Sequence, residues 1–116
     1  MKRDILVYFD DILESINRIF EYTENFSEDN FSQNQLIQDA VCRRIEIIGE
    51  SVKNVPSEIR LEFDFIPWKK IAGMRDILTH AYYNVSAKRI WNVVKNDLSL
   101  LKKQVVKIKL DLQNKE

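Results

Sequence analysis

The sequence predicts an all-α fold, a four- to five-helix bundle forming a single domain over residues 1–116. Apolar residues recur at steps of three and four along most of the chain, the spacing that gathers them on one face of a helix. Helix breakers are scarce: two glycines and two prolines leave little room for hairpin turns. A charged fraction of 31% against 45% hydrophobic is that of a packed globule, and 116 residues make one domain with a modest core.

The first helix is expected over roughly residues 3–24, where Ile5, Phe9, Ile12, Ile16 and Ile19 form the core stripe and Leu13 and Phe20 widen it. Asn25 to Asn30 is polar and reads as a turn. Ser32 and Gln35 then have the S-x-x-Q spacing of a capping box, opening a second helix that runs to about Asn54 on Ile37, Val41, Ile45, Ile48 and Val52. Gly49 lies inside that helix at a cost of roughly 1 kcal/mol against alanine, and close approach of another helix is the natural compensation. Pro56 ends the segment, and Ser57 to Phe63 is either a short helix or a connector. Pro67 suits the first position of the next helix, which carries Trp68, Ile71, Met74 and Leu78 and ends near Tyr82 to Asn84. Ser86 is a candidate N-cap for the last helix, with Ile90, Val94, Leu101, Val105, Ile108 and Leu112 on its core face. Trp68 and Trp91 read as core anchors. The stripes of the first and last helices are long for so small a bundle, so a homodimer that covers the excess stands beside a well-filled monomer.

Net charge is zero, so no global basic signature points to nucleic acid. The distribution is uneven: residues 1–31 hold eight acidic and three basic side chains, and residues 88–109 hold seven basic and one acidic. The basic stretch is either a solvated helix face or a track for a polyanion. Cys42, the only cysteine, has no partner for an intrachain disulfide, which fits a reducing cytoplasm. Charges interrupt every apolar run, so neither a membrane span nor a signal peptide is expected; after Lys2 and Arg3, Asp4, Asp10, Asp11 and Glu14 break the stretch.

One short constellation carries candidate chemistry: Arg75, Asp76, His80 and Tyr82. His80 is the only histidine, the one side chain that titrates near neutrality without special help. A histidine can take the proton of a ribose 2′-hydroxyl or give one to a leaving oxygen, and an arginine fork holds the phosphate between them. Asp76 could orient either group. On an ideal helix Arg75 and His80 diverge by about 140°. They serve one target only if the helix loosens, if a groove accepts both directions, or if a second copy supplies the missing partner. An ordinary surface pair is the bland reading of Arg75 and Asp76. Asp39, Glu46 and Glu50 share a helix face, but the lone histidine is not in a Glu-x-x-His pair, so a solvated acidic face is expected there rather than a metal site.

At these residues the sequence resembles the HepT branch of the HEPN superfamily. The resemblance is carried by R-x4-H-x-Y from Arg75 to Tyr82 after Ile66-Pro-Trp-Lys-Lys-Ile-Ala-Gly-Met74, by Arg44-Ile-Glu-Ile-Ile-Gly-Glu-Ser51, and by Ile90-Trp-Asn-Val-Val-Lys-Asn-Asp-Leu98. It implies a homodimer with the motifs of two protomers facing across a composite cleft. It also implies endoribonuclease activity that needs neither metal nor cofactor, used as the toxin of a type VII toxin–antitoxin pair. Arg75 and His80 match the family's catalytic residues and Asp76 the polar position after the arginine. Tyr82 matches the tyrosine that an MntA-like nucleotidyltransferase antitoxin modifies with AMP, and Tyr83 follows it as a second hydroxyl. Ser51 stands where alanine is common. The alternative function is a non-catalytic helical nucleotide-binding or regulatory subunit of a nucleotidyltransferase; a purely structural dimerisation protein is a further one.

Overall fold

The computed structural model describes residues 2–81 and 85–114, with side chains over residues 4–78 and 85–114. All regular structure among them is helical. Helix α1 spans Lys2–Thr23, and Ile5, Phe9, Ile12, Ile16 and Ile19 are all buried, as their spacing predicts. At its end the Thr23 hydroxyl donates to the Ile19 carbonyl at 2.8 Å.

The expected turn over residues 25–30 is tighter than foreseen. Ser27 accepts from the Asn30 amide at 3.1 Å and caps a short helix, α2 (Glu28–Ser32). A single side chain explains why so polar a segment folds: Phe31 is fully buried, with its ring centroid 5.1 Å from that of Trp91. Such burial stabilises by about 1.5–3 kcal/mol. This also corrects the capping box. Ser32 closes α2, donating to the Glu28 carbonyl at 2.9 Å, and Asn34 caps the next helix by accepting from the Ile37 amide at 3.0 Å. Both residues are good caps, but Ser32 is already committed to the preceding turn.

Helix α3 (Gln35–Asn54) buries Val41, Ile45, Ile48 and Val52, while Ile37 is only half-buried. After Pro56 comes α4 (Ser57–Glu62), then α5 (Trp68–Ala81). Pro67 stands one position ahead of α5, its carbonyl accepting from the Ile71 amide at 3.1 Å. Trp68 is buried and its indole N–H donates to the carbonyls of Arg60 and Phe63 at 3.1 and 3.0 Å, fixing the start of α5 against the end of α4. Ser86 caps as expected, accepting from the Arg89 amide at 3.2 Å. The helix it opens continues over residues 87–114 as α6 (Ala87–Asn92), a π-helical turn (Val93–Asp97) and α7 (Leu98–Asn114). Ile90, Val94, Leu98 and Leu101 keep the core face across the π turn, which nothing in the apolar spacing marks.

The principal packing pairs are α1 on α3, α3 on α5 and α1 on α7. Asp10 of the acidic first helix pairs with Lys109 of the basic last one, so part of the charge asymmetry is an interhelical match. Leu36, Leu61, Leu100 and Leu110 remain more than half exposed. Leu100 and Phe65 flank an apolar groove between α3, α5 and α7.

Candidate active site

Helices α3 and α5 approach each other closely at Gly49 and Arg75. A Cβ added at Gly49 would lie 2.1 Å from the Arg75 Cβ and 2.8 Å from its Cγ. The close approach expected to compensate for this glycine is therefore present, and its partner is the motif arginine. With its first carbons laid on α3, Arg75 delivers its guanidinium to the next residue: Nη2 lies 2.9 Å from Glu50 Oε2. Nη1 lies 3.2 Å from Asp76 Oδ1, and the same carboxylate oxygen accepts from Lys53 Nζ, one helical turn beyond Glu50.

The result is an alternating row of Glu50, Arg75, Asp76 and Lys53. The Arg75 side chain is only 25% exposed, whereas those of Glu50 and Asp76 are 57% and 47% exposed. The arginine is thus anchored along its stem, and the carboxylates that meet its guanidinium are about half exposed. Exposed pairs of this kind each contribute about 0–1 kcal/mol, so their effect is to orient the guanidinium more than to stabilise the fold. The hydrogen bond from Lys53, then that from Arg75, holds the Asp76 carboxyl below the usual carboxylate value of 3.8, against a smaller desolvation effect. A guanidinium carries five N–H donors in a planar fork, more than two carboxylate contacts occupy, so Arg75 retains capacity for a phosphate.

Beside this row lies a polar cleft of about 450 Å³ between α1 and α3, with Tyr8, Asp11, Glu46, Glu50, Asn54 and Arg75 in its wall. Glu46 is 3.7 Å from Arg43, and Asp39 accepts from Gln35 at 2.9 Å. Among the described residues no group of three His, Cys, Asp or Glu side chains could hold a metal ion. The solvated-face reading is corrected for Glu50, whose carboxylate is a partner of Arg75.

The structure thus brings together two of the predicted site residues, Arg75 and Asp76, and adds Gly49, Glu50 and Lys53. For the added residues the sequence signals were a glycine inside a helix and the Arg44–Ser51 segment, which holds Gly49 and Glu50; nothing marked Lys53. The backbone of His80 belongs to α5, while its side chain, and Tyr82 and Tyr83 entirely, lie outside the described residues. Because α5 is regular α-helix from Trp68 to Ala81, it does not loosen between Arg75 and His80. Of the basic stretch, Lys95 lies over the Trp91 ring at 4.7 Å, Lys102 over the Phe20 ring at 5.9 Å, and Lys109 pairs with Asp10. Those three contacts are internal. No helix of the described residues is long and apolar enough to cross a membrane.

Fold and site together define a small helical-bundle domain that presents an anchored arginine, on an R-x4-H helix, at the mouth of a polar cleft. The Ribonuclease HepT-like family matches residues 12–108, and the chain belongs to that family. It is 48% identical over 112 residues to "Gamma-glutamylcyclotransferase and putative RNase MJ0434" of Methanocaldococcus jannaschii, covering 97% of this chain and 50% of that protein. The chain therefore spans half the length of that relative. It is 40% identical over 115 residues to "Putative RNase MJ1216" of the same organism, covering 99% of this chain and 95% of the relative. It is 39% identical over 109 residues to "Probable ribonuclease HepT" of Thermococcus cleftensis, covering 94% and 99%. No solved structure matches the chain.

Proposed function

We propose that this chain cleaves RNA as the toxin of a toxin–antitoxin pair, with Arg75 on the scissile phosphate and His80 as the proton-transfer group. The observation that carries the reading is the setting of Arg75. It is an arginine anchored by helix contact, paired with two half-exposed carboxylates, and placed five residues before the only histidine of a chain whose family is named for ribonuclease activity. In this reading the histidine removes the proton of the 2′-hydroxyl, the 2′-oxygen attacks phosphorus to close a 2′,3′-cyclic phosphate, and the P–O5′ bond breaks as the imidazolium returns that proton to the 5′-oxygen. The guanidinium meets the charge that builds on the phosphoryl oxygens, where a preorganised donor counts most. Asp76, tied to Lys53, steadies Arg75 from its flank. No metal or cofactor is called for.

A homodimer answers the divergence of Arg75 and His80. With α5 regular, a two-fold axis can set the arginine of one protomer opposite the histidine of its partner. AMP attached to Tyr82 by a nucleotidyltransferase antitoxin would then place an anionic phosphate two residues from His80, where it would compete for Arg75. The test is cleavage of RNA by the wild-type chain and by Arg75→Ala and His80→Ala. Both variants should stay folded and lose cleavage and growth inhibition. Nucleotide binding by a wild type that cleaves no RNA would instead favour a regulatory subunit. For the off-switch, the Tyr82 peptide should gain the mass of AMP after incubation with the antitoxin and ATP; an unchanged peptide refutes that part.

A further inference from the structure

The cleft beside Arg75 has a chemistry that a phosphate site alone does not explain. Its arginines already face carboxylates, Arg43 with Glu46 and Arg75 with Glu50. Asp11 is exposed on the α1 wall and has no ion pair or hydrogen bond among the described residues. An unpaired carboxylate repels phosphate, but it accepts N–H donors well. Tyr8 precedes Asp11 by three residues, so both project from one side of α1 into the same cleft. The Tyr8 ring is half-buried against the core, which fixes it as a surface on which a base can stack. A volume of about 450 Å³ lies in the range that holds a nucleoside-sized ligand.

We propose that this cleft is the subsite for the nucleobase next to the phosphate on Arg75, and that it selects guanine, stacked on Tyr8 and read by Asp11. Single-stranded RNA is read in this way, by stacking and by hydrogen bonds to the Watson–Crick edge of a splayed base. Only guanine presents two adjacent donors on that edge, its ring N1–H and its exocyclic amine, which match the two oxygens of one carboxylate. Adenine, cytosine and uracil each set an acceptor against it. The inference rests on the ribonuclease reading for its place in the reaction, but its binding chemistry can be measured without cleavage.

The experiment is titration of the full chain with GMP, IMP, AMP, CMP and UMP, followed by NMR. GMP should bind about tenfold more tightly than the others, the scale of one good bidentate contact. IMP, which lacks the exocyclic amine, should fall into the weak group. Asp11→Asn sits at an exposed position and should keep the fold while removing the preference for GMP. Tyr8→Leu should weaken all five nucleotides alike. Equal affinity for the five nucleotides, or a GMP preference unchanged in Asp11→Asn, overturns the proposal. Cleavage assays judge the ribonuclease reading separately: guanine-selective binding without RNA cleavage sinks only that reading. Cleavage of RNA with no preference for guanine beside the cut sinks the subsite.

Discussion

Replacing Gly49 with alanine tests the link between helix packing and the site. Helix propensity alone favours the change by about 1 kcal/mol, since glycine is the costlier residue inside a helix. Packing opposes it. The new methyl would stand 2.1 Å from the Arg75 Cβ, where carbon atoms want roughly 3.5–4.0 Å. The obstacle is a carbon fixed to the α5 backbone rather than the end of a flexible chain, so relief requires α3 and α5 to move apart by about 1.5 Å. Overpacking of this kind costs about 1–3 kcal/mol and occasionally more. The net is a loss of about 0–2 kcal/mol, or a Tm lower by up to roughly 10 °C for a domain of this size. The same displacement draws Arg75 away from Glu50, so RNA cleavage should fall further than the folded fraction does. Thermal and urea denaturation give the first quantity, and initial cleavage rates on the still-folded variant give the second. A Gly49→Ala chain that is more stable by the full propensity gain and cleaves normally would refute the close packing and the positioning role together.

Lys53→Met should let the Asp76 carboxyl rise toward its ordinary value of 3.8, read by NMR titration of that side chain. Because the folded pKa is depressed, the stability this carboxylate contributes is present above the ordinary value and drains away as pH falls through the lowered one. With most of the depression gone, the variant should carry less of this contribution and show a weaker loss of stability as pH falls below the ordinary value. Trp68→Phe removes the indole donor from the Arg60 and Phe63 carbonyls and should lower stability by about 1–3 kcal/mol, seen as a reduced urea midpoint at unchanged slope. Mixing Arg75→Ala with His80→Ala chains tests the composite cleft. If arginine and histidine of one site come from different protomers, the mixed dimer keeps one intact site and about a quarter of wild-type activity returns. No recovery after subunit exchange would assign both groups to one chain.

Much of the fold was legible because it rests on local rules. The burial of Ile5, Phe9, Ile12, Ile16 and Ile19 follows from spacing, and the Ser86 cap from a small hydroxyl residue placed just before a helical run. The capping error at Ser32 has the opposite cause. Two good caps lie two residues apart there, and the choice between them was made by Phe31, whose burial next to Trp91 is a tertiary event. The π turn at Val93–Asp97 left no trace in an apolar pattern that stays on one face across it.

The site was legible in part for the same reason. R-x4-H lies within one helix, so Arg75 and Asp76 could be named, but the register of α3 against α5 is set by contact at one glycine. Sequence spacing says nothing of which α3 residue that contact will serve. Once Gly49 touches Arg75, Glu50 and Lys53 follow, because a residue one position on and another one turn further along α3 must flank the guanidinium and its neighbour. This arrangement also accounts for a catalytic candidate that rests among carboxylates. Exposed pairs worth about 1 kcal/mol or less hold the arginine in place, yet yield readily to a phosphate that brings stronger charge-assisted bonds. An arginine sealed in a buried pair would cost several kcal/mol to release, and the wet tips of Glu50 and Asp76 avoid that cost.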